Sequence, residues 1–260
     1  MTDALHIVTT HYGLFAMVTA FAVMLFAGFT KGAVGFGLPM ICISGIGSVM
    51  PAEIAIAALI LPGLITNMWQ SLRNGFGPAW ASLKQYWRLN LVLLLSIYAF
   101  AQLVVIIPET ALFIILGVGI TVFVSLQIVG WIPNIPARLA TKIQAPVGLV
   151  AGFFGGLSGV WGPPILLYLL SQKTPKTEMV RVQGISFLVG AIVLTAAHFQ
   201  SGLLNKISAP LSAWLIIPAV VGMAIGFKVH DRLDQAKFRK ITLIVLAIAG
   251  LNLLRRGLFG

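Results

Sequence analysis

The chain has 260 residues, 59% of them hydrophobic and only 9% charged, with a formal net charge of +11. Soluble domains run closer to half apolar and a quarter charged, so this composition excludes an ordinary soluble enzyme and puts most of the chain in lipid as one membrane domain. The basic residues lie in short loops between apolar runs, as membrane topology requires, and no basic stripe alternates with aromatics, which excludes nucleic acid as a partner.

Apolar runs bounded by charge, Pro or Gly fall at 12–29, 33–50, 52–70, 87–107, 110–131, 142–157, 160–170, 178–199, 208–227 and 238–254. They predict an all-α polytopic membrane protein of about ten hydrophobic helical segments. Several approach the ~20 residues a spanning helix needs; the sixth and seventh are short, and 160–170 is too short to cross. The first pair and the sixth with the seventh are glycine-interrupted, and are expected to be hairpins, fully spanning or re-entrant. The start, Met1 to His6, lacks the basic region of a cleavable signal, so the first run is expected in the mature protein. Cys42 is the only cysteine. No internal disulfide or CxxC site can form, and Cys42 is read as a small packing residue.

If all ten segments cross, fourteen of the seventeen Lys and Arg fall on one side, leaving Lys206, Arg255 and Arg256 on the other. That bias makes the rich side cytoplasmic and places both termini outside. A single broken helix in place of each hairpin would scatter the basic loops across both faces.

The hairpins carry the same phrase 124 residues apart, 27–41 and 151–165, identical at seven of fifteen positions. Pro51 matches Pro175 at that spacing, and Ala111 and Phe113 match Ala236 and Phe238 one residue later. Five segments per half is an odd number, so the halves, 1–134 and 135–260, are expected to be inverted repeats. Transporters of that kind bind substrate near the midplane, at discontinuous helices.

The candidate site follows from the two phrases. Lys31 has no carboxylate near it in sequence; it is either a topological charge at the cytoplasmic surface or a buried anion receptor. Gly32, Gly35 and Gly37 would let backbone N–H groups approach a ligand, and Pro39 marks a helix start whose positive end faces it. The second phrase supplies Gly156, Ser158, Gly159, Trp161, Gly162 and Pro163. Pro163 marks a matching helix start, so two helix N-termini are expected to meet across one cavity. Ser158 is a hydroxyl donor or a packing residue, and Trp161 an indole donor, an apolar wall or an interfacial aromatic. Asn67 and Gln183 are either interhelical glue or substrate contacts. His198 is read as solvated or helix-capping near the outer face. The six acidic residues all sit at segment ends or in loops, and no Ser/His/Asp set or HExxH occurs. A GxGxxG nucleotide site would need a βαβ context that is absent. No enzyme activity, cofactor or metal is expected.

Lys31-Gly32, Gly28, Gly35, Gly37 and Pro39, with Gly152, Gly155-Gly156, Gly159 and Gly162-Pro163-Pro164, resemble the paired motifs of the TauE/SafE family, named for exporters of sulfite and organosulfonates. The remaining segments, with a basic 228–240 loop before the last helix, fit along the full length. The resemblance implies a multi-pass transporter, commonly an exporter, of small sulfur-containing or carboxylated anions. The chain departs at Trp161, where a smaller residue is expected and an indole would narrow the cavity.

The leading expectation is a secondary transporter of small anions in the cell inner membrane, exporting organosulfonate or sulfite by alternating access. An uptake permease or a channel for another small anion is the alternative, and a non-transporting scaffold or sensor is the reading from a different class. The expected partners are a small anion (sulfonate, sulfite or carboxylate) and the lipid bilayer, with a homodimer left open.

Overall fold

The computed structural model describes residues 2–73, 75–230 and 235–259, and among them every regular element is helical. In chain order the helices are α1 (Thr2–Val34), α2 (Leu38–Ile46), α3 (Ala52–Leu72), α4 (Phe76–Gln85), α5 (Trp87–Ala101), α6 (Glu109–Val129), α7 (Ala140–Ser158), α8 (Gly162–Ser171), α9 (Lys176–Gln200), α10 (Ser208–Trp214), α11 (Ile216–His230) and α12 (Gln235–Phe259). Among the described residues, five stretches are long and apolar enough to cross a membrane: Tyr12–Ala33, Ala52–Leu72, Glu109–Val129, Arg181–Gln200 and Ser208–Val229. Large apolar side chains such as Phe15, Leu95, Ile106 and Ile248 are exposed, as expected of a lipid-facing exterior. The protein is a multi-pass membrane protein.

Two departures from the ten expected segments have clear causes. The run 208–227 is broken at Leu215 into α10 and α11, because Pro218 has no N–H to give the Trp214 carbonyl. The amphipathic α4 was not anticipated, because ten residues carrying Lys84, Gln85 and Ser82 give no apolar run. The expected 228–240 loop is mostly helical instead: 228–230 end α11 and 235–240 begin α12, and only 231–234 lie outside the described residues.

Helix starts follow the prolines. Pro51 and Pro175 precede α3 and α9 with nearly the same geometry (φ −55°, ψ 151° and φ −56°, ψ 143°). Glu53, Glu109 and Glu178 occupy first turns, where a carboxylate suits the positive end of the helix dipole. Glu109 also accepts the Ala52 N–H at 3.1 Å, tying the start of α6 to the start of α3.

Glycines govern which helices meet. Gly28 and Gly32 of α1 lie against the Ala219 and Met223 carbonyls of α11, and Gly222 and Gly226 of α11 lie against those of Leu25 and Phe29. Any Cβ there would collide with backbone, the small-residue route to close helix contact in membranes. Gly148, Gly152 and Gly156 bring α7 onto α5 in the same way, while Gly117, Gly250 and Gly257 join α6 to α12. The extensive pairings are therefore α1 with α11, α5 with α7, α6 with α12 and α3 with α9. In addition α4 packs on α9, and α10 on α3.

The two hairpins open at opposite ends. The first, α1–α2, returns through Met50 to the end where Glu109 meets Ala52. The second, α7–α8, opens where Tyr168 donates to the Ala140 carbonyl (3.2 Å) and packs edge-on against Tyr86. That same end holds Arg181, bonded to Ser82 at 2.8 Å, Lys84 over Trp80, and Arg73 over Phe227. Lys206 and Arg256 belong to the opposite end; Arg256 stacks 4.4 Å above Phe113, near the start of α6.

Candidate functional site

The second arm of each hairpin is short. Helices α2 and α8 have 9 and 10 residues, about 14–15 Å at ~1.5 Å per residue, roughly half of a ~30 Å hydrocarbon core. Their starts therefore lie inside the protein. Helix α2 begins with Pro39 in its first turn after Gly37, and α8 begins with Gly162 and Pro163, so both expected helix starts are borne out. Residues from both starts line one small cavity of about 40 Å³, together with Leu59, Gly63 and Asn67 of α3 and Phe187, Ala191 and Leu194 of α9.

Lys31 reaches this cavity from the last turn of α1 and is only 3% exposed. It is not a surface charge. Its ammonium donates to Thr66 Oγ1 at 2.8 Å and to Asn67 Oδ1. Thr66 in turn donates to the Pro62 carbonyl (2.7 Å), and Asn67 Nδ2 donates to the Phe187 carbonyl of α9 (3.0 Å). Asn67 thus joins α1, α3 and α9 at one point. These described partners are neutral oxygens. The negative end of α1 adds partial compensation, and an ammonium has three donors, of which two are used.

Of the other expected site residues, Gly37, Pro39, Gly159, Trp161, Gly162 and Pro163 also line the cavity, and four do not. Gly32 and Gly156 sit within helices, pressed on α11 and α5. Gly35 has φ +90° and gives its carbonyl to Gln70 Nε2 (3.1 Å). Ser158 donates to the Phe154 carbonyl (2.7 Å) and faces a separate, apolar cavity of about 310 Å³ between α6, α7 and α8. Nothing in the residue pattern marked Phe36, Phe187, Leu59 or Leu194 as cavity residues, or Thr66 as a partner of Lys31. Phe187 and Leu194 lie more than a hundred positions from Lys31, so only the fold brings them near.

Trp161 is 4% exposed and stands edge-on to Phe187, with ring centroids 6.4 Å apart. Its indole lies over two glycines: a Cβ on Gly155 would come within 2.8 Å of it, and one on Gly190 within 3.4 Å. It is an interior wall, not an interfacial aromatic. His198 corrects another expectation. It lies in the last turn of α9 but is fully buried, near the Gly156 backbone, and neither ring nitrogen makes a hydrogen bond of good geometry.

Among the described residues, no group of His, Cys, Asp and Glu is placed to hold a metal. The site offers one ammonium, two helix starts and apolar walls. The family model of the sulfite exporter TauE/SafE matches residues 20–253, nearly the whole chain. The chain belongs to the TauE/SafE family. No curated protein and no solved structure matches it. TauE/SafE is a family of membrane exporters of sulfite and related anions, and in this member the matched stretch contains both hairpin turns and every cavity residue named above.

Proposed function

We propose that this protein exports a small sulfur oxyanion or organosulfonate by alternating access, with Lys31 anchoring the anion in the cavity between the two hairpin tips. One observation carries this: a lysine held inside the protein against neutral oxygens. A buried cation without a counter-charge is costly, and an anion delivered to the third ammonium donor supplies that charge. Backbone N–H groups at the starts of α2 and α8 add donors of the kind that bind oxyanions.

Two inverted repeats account for the packing. Exchanging α1 with α7, α3 with α9, α5 with α11 and α6 with α12 leaves the four extensive pairings unchanged. Shifting Lys31 by the 124-residue repeat gives Gly155, and the Trp161 indole fills the space beside it. The second half thus carries an aromatic wall where the first carries the charge, consistent with one anion per chain. A cavity of about 40 Å³ has room for roughly two or three waters, which favours an occluded carrier over an open channel. The basic end is assigned to the cytoplasm by the positive-inside rule.

The test is anion-dependent thermal stabilisation of the purified protein across sulfite, thiosulfate, sulfoacetate, taurine, acetate and chloride, followed by efflux from proteoliposomes. A true ligand at 100 times its Kd adds about 2.7 kcal/mol. If none of the sulfur anions stabilises the protein more than chloride does, the proposal is wrong.

A further inference from the structure

The two directions leading away from Lys31 along the α3–α9 crossing differ in chemistry. Toward the Glu109 end the cavity wall is Leu59 and Leu194, packed so closely that a Cβ on Gly159 would lie 3.0 Å from one and 3.5 Å from the other. Toward the end with Arg73 and Arg181, the same helices present Gln70, Ser71, Gln183 and Ser186, all buried. The helices are in contact over this stretch, since Asn67 bonds the Phe187 carbonyl and Gly184 abuts Ser71. Gln70 uses its amide nitrogen on Gly35, while its Oε1 is left unpaired among the described residues and bonds neither Gln183 nor Ser186. Gln183 is 4% exposed and Ser186 0%, yet Gln183 Nε2 and Ser186 Oγ have no hydrogen-bond partner among the described residues.

Buried polar atoms are normally paired, and leaving one unpaired is unfavourable. Here two groups able to donate stand three residues apart on one helix, hence on one face. They lie between a buried ammonium and a basic rim. What they lack is an acceptor. We propose that Gln183 and Ser186 form a second, uncharged anion station, which an oxyanion occupies between the basic end and Lys31. This rests on Lys31 being the anchor. Neutral donors hold an oxyanion more weakly than an ammonium does, so the ion passes inward without being trapped. The Leu59–Leu194 wall itself is apolar and acts as the closed gate.

The experiment uses Ser186→Cys in a Cys42→Ala chain, reconstituted with the basic end accessible. Two small thiol reagents are compared, a methanethiosulfonate bearing an ethylsulfonate and one bearing a trimethylammonium, each rate normalised to free cysteine. The sulfonate reagent should react about fivefold faster, as one neutral hydrogen bond implies, and Gln183→Leu should bring the ratio close to one. Leu59→Cys should react far more slowly from that end. Equal rates, no reaction, or a preference untouched by Gln183→Leu would overturn the station. If Ser186→Cys does not insert, Gln183→Cys with and without Ser186→Ala gives the same comparison. Lys31→Met is run alongside. Unchanged transport in Lys31→Met with the preference intact would sink the anchor and leave the station standing. A preference lost in Lys31→Met but retained in Gln183→Leu would mean that Lys31 alone attracts the reagent, and the station would fall.

Discussion

Gly35 and Gly159 stand 124 residues apart and end their hairpins' first helices in the same way. Both have left-handed backbone (φ +90° and +72°), and each N–H donates to the carbonyl four residues earlier at 2.7 Å, that of Lys31 and of Gly155 respectively. A glycine in the left-handed region after the last helical turn satisfies an orphan carbonyl and lets the chain turn back. The turn is what allows α2 and α8 to start at the cavity instead of at a membrane surface.

Gly159→Ala is therefore expected to be the more damaging of the two alanine substitutions. Both impose left-handed strain of roughly 1–2 kcal/mol, but the new Cβ at 159 also meets Leu59 at 3.0 Å, whereas at 35 its nearest neighbour is Gln70 Nε2 at 3.8 Å. Thermal unfolding in detergent checks this, with the Gly159 variant melting lower.

Lys31→Met separates function from stability. Replacing an uncompensated buried ammonium with an apolar stem should leave the unfolding midpoint unchanged or raise it. Anion affinity should fall by about one to two decades, the value of a charge-assisted contact of roughly 1.5–3 kcal/mol. A variant that melts normally and binds sulfite with wild-type affinity would make Lys31 a packing residue.

Asn67→Asp gives the ammonium a fixed carboxylate at the position of its present amide oxygen. The fold should survive, losing only the amide bond to Phe187, worth about 1 kcal/mol. Substrate binding should collapse because the counter-charge is already present. Titrating the variant with sulfite by calorimetry decides the matter, since retained heat of binding would contradict a charge-based site.

Trp161→Ala should exchange stability for breadth. Removing a buried indole destabilises by roughly 3–5 kcal/mol and opens space beside Gly155 and Gly190. The ratio of taurine to sulfite transport should rise in proteoliposomes with matched protein content. A fall in both rates with no change in their ratio would show that the indole does not set size.

Orientation is tested in a Cys42→Ala background with a membrane-impermeant thiol reagent on whole cells. Lys206→Cys should be labelled from outside, and Lys173→Cys only after the cells are opened. The reverse result would invert the assignment of the basic end.

Much of this fold was legible from residue pattern because glycine and proline act locally. Pro39 and Pro163 each announce a helix start, and charge or Gly-Pro punctuation bounded most of the helices. The short α4 escaped because an amphipathic ten-residue helix leaves no apolar run, and the break at Leu215 has no Gly or charge beside it. Glycine was also the main source of misdirection. Gly32 and Gly156 looked like ligand-approach positions, but a small residue serves equally for backbone-to-backbone helix contact, and sequence does not say which. Lys31 was visible as two alternatives, and only its bonds to Thr66 and Asn67 separate them. Asn67 and Gln183 were noticeable as amides in apolar runs; Leu59, Phe187 and Leu194 were not, because apolar cavity walls look like any other membrane residue.

The way the helices pair also constrains how the chain is made. Helix α1 reaches the bilayer early in synthesis, but the glycine face it presents is matched on α11, which the ribosome completes only near the end. Helix α5 likewise waits for α7. Neither half is self-sufficient, so the nascent N-terminal half must persist as loosely associated helices until the second half supplies both partners. Substitutions at Gly222 or Gly226 would then appear first as failed biogenesis and clearance by membrane proteases, with little protein left on which to measure export.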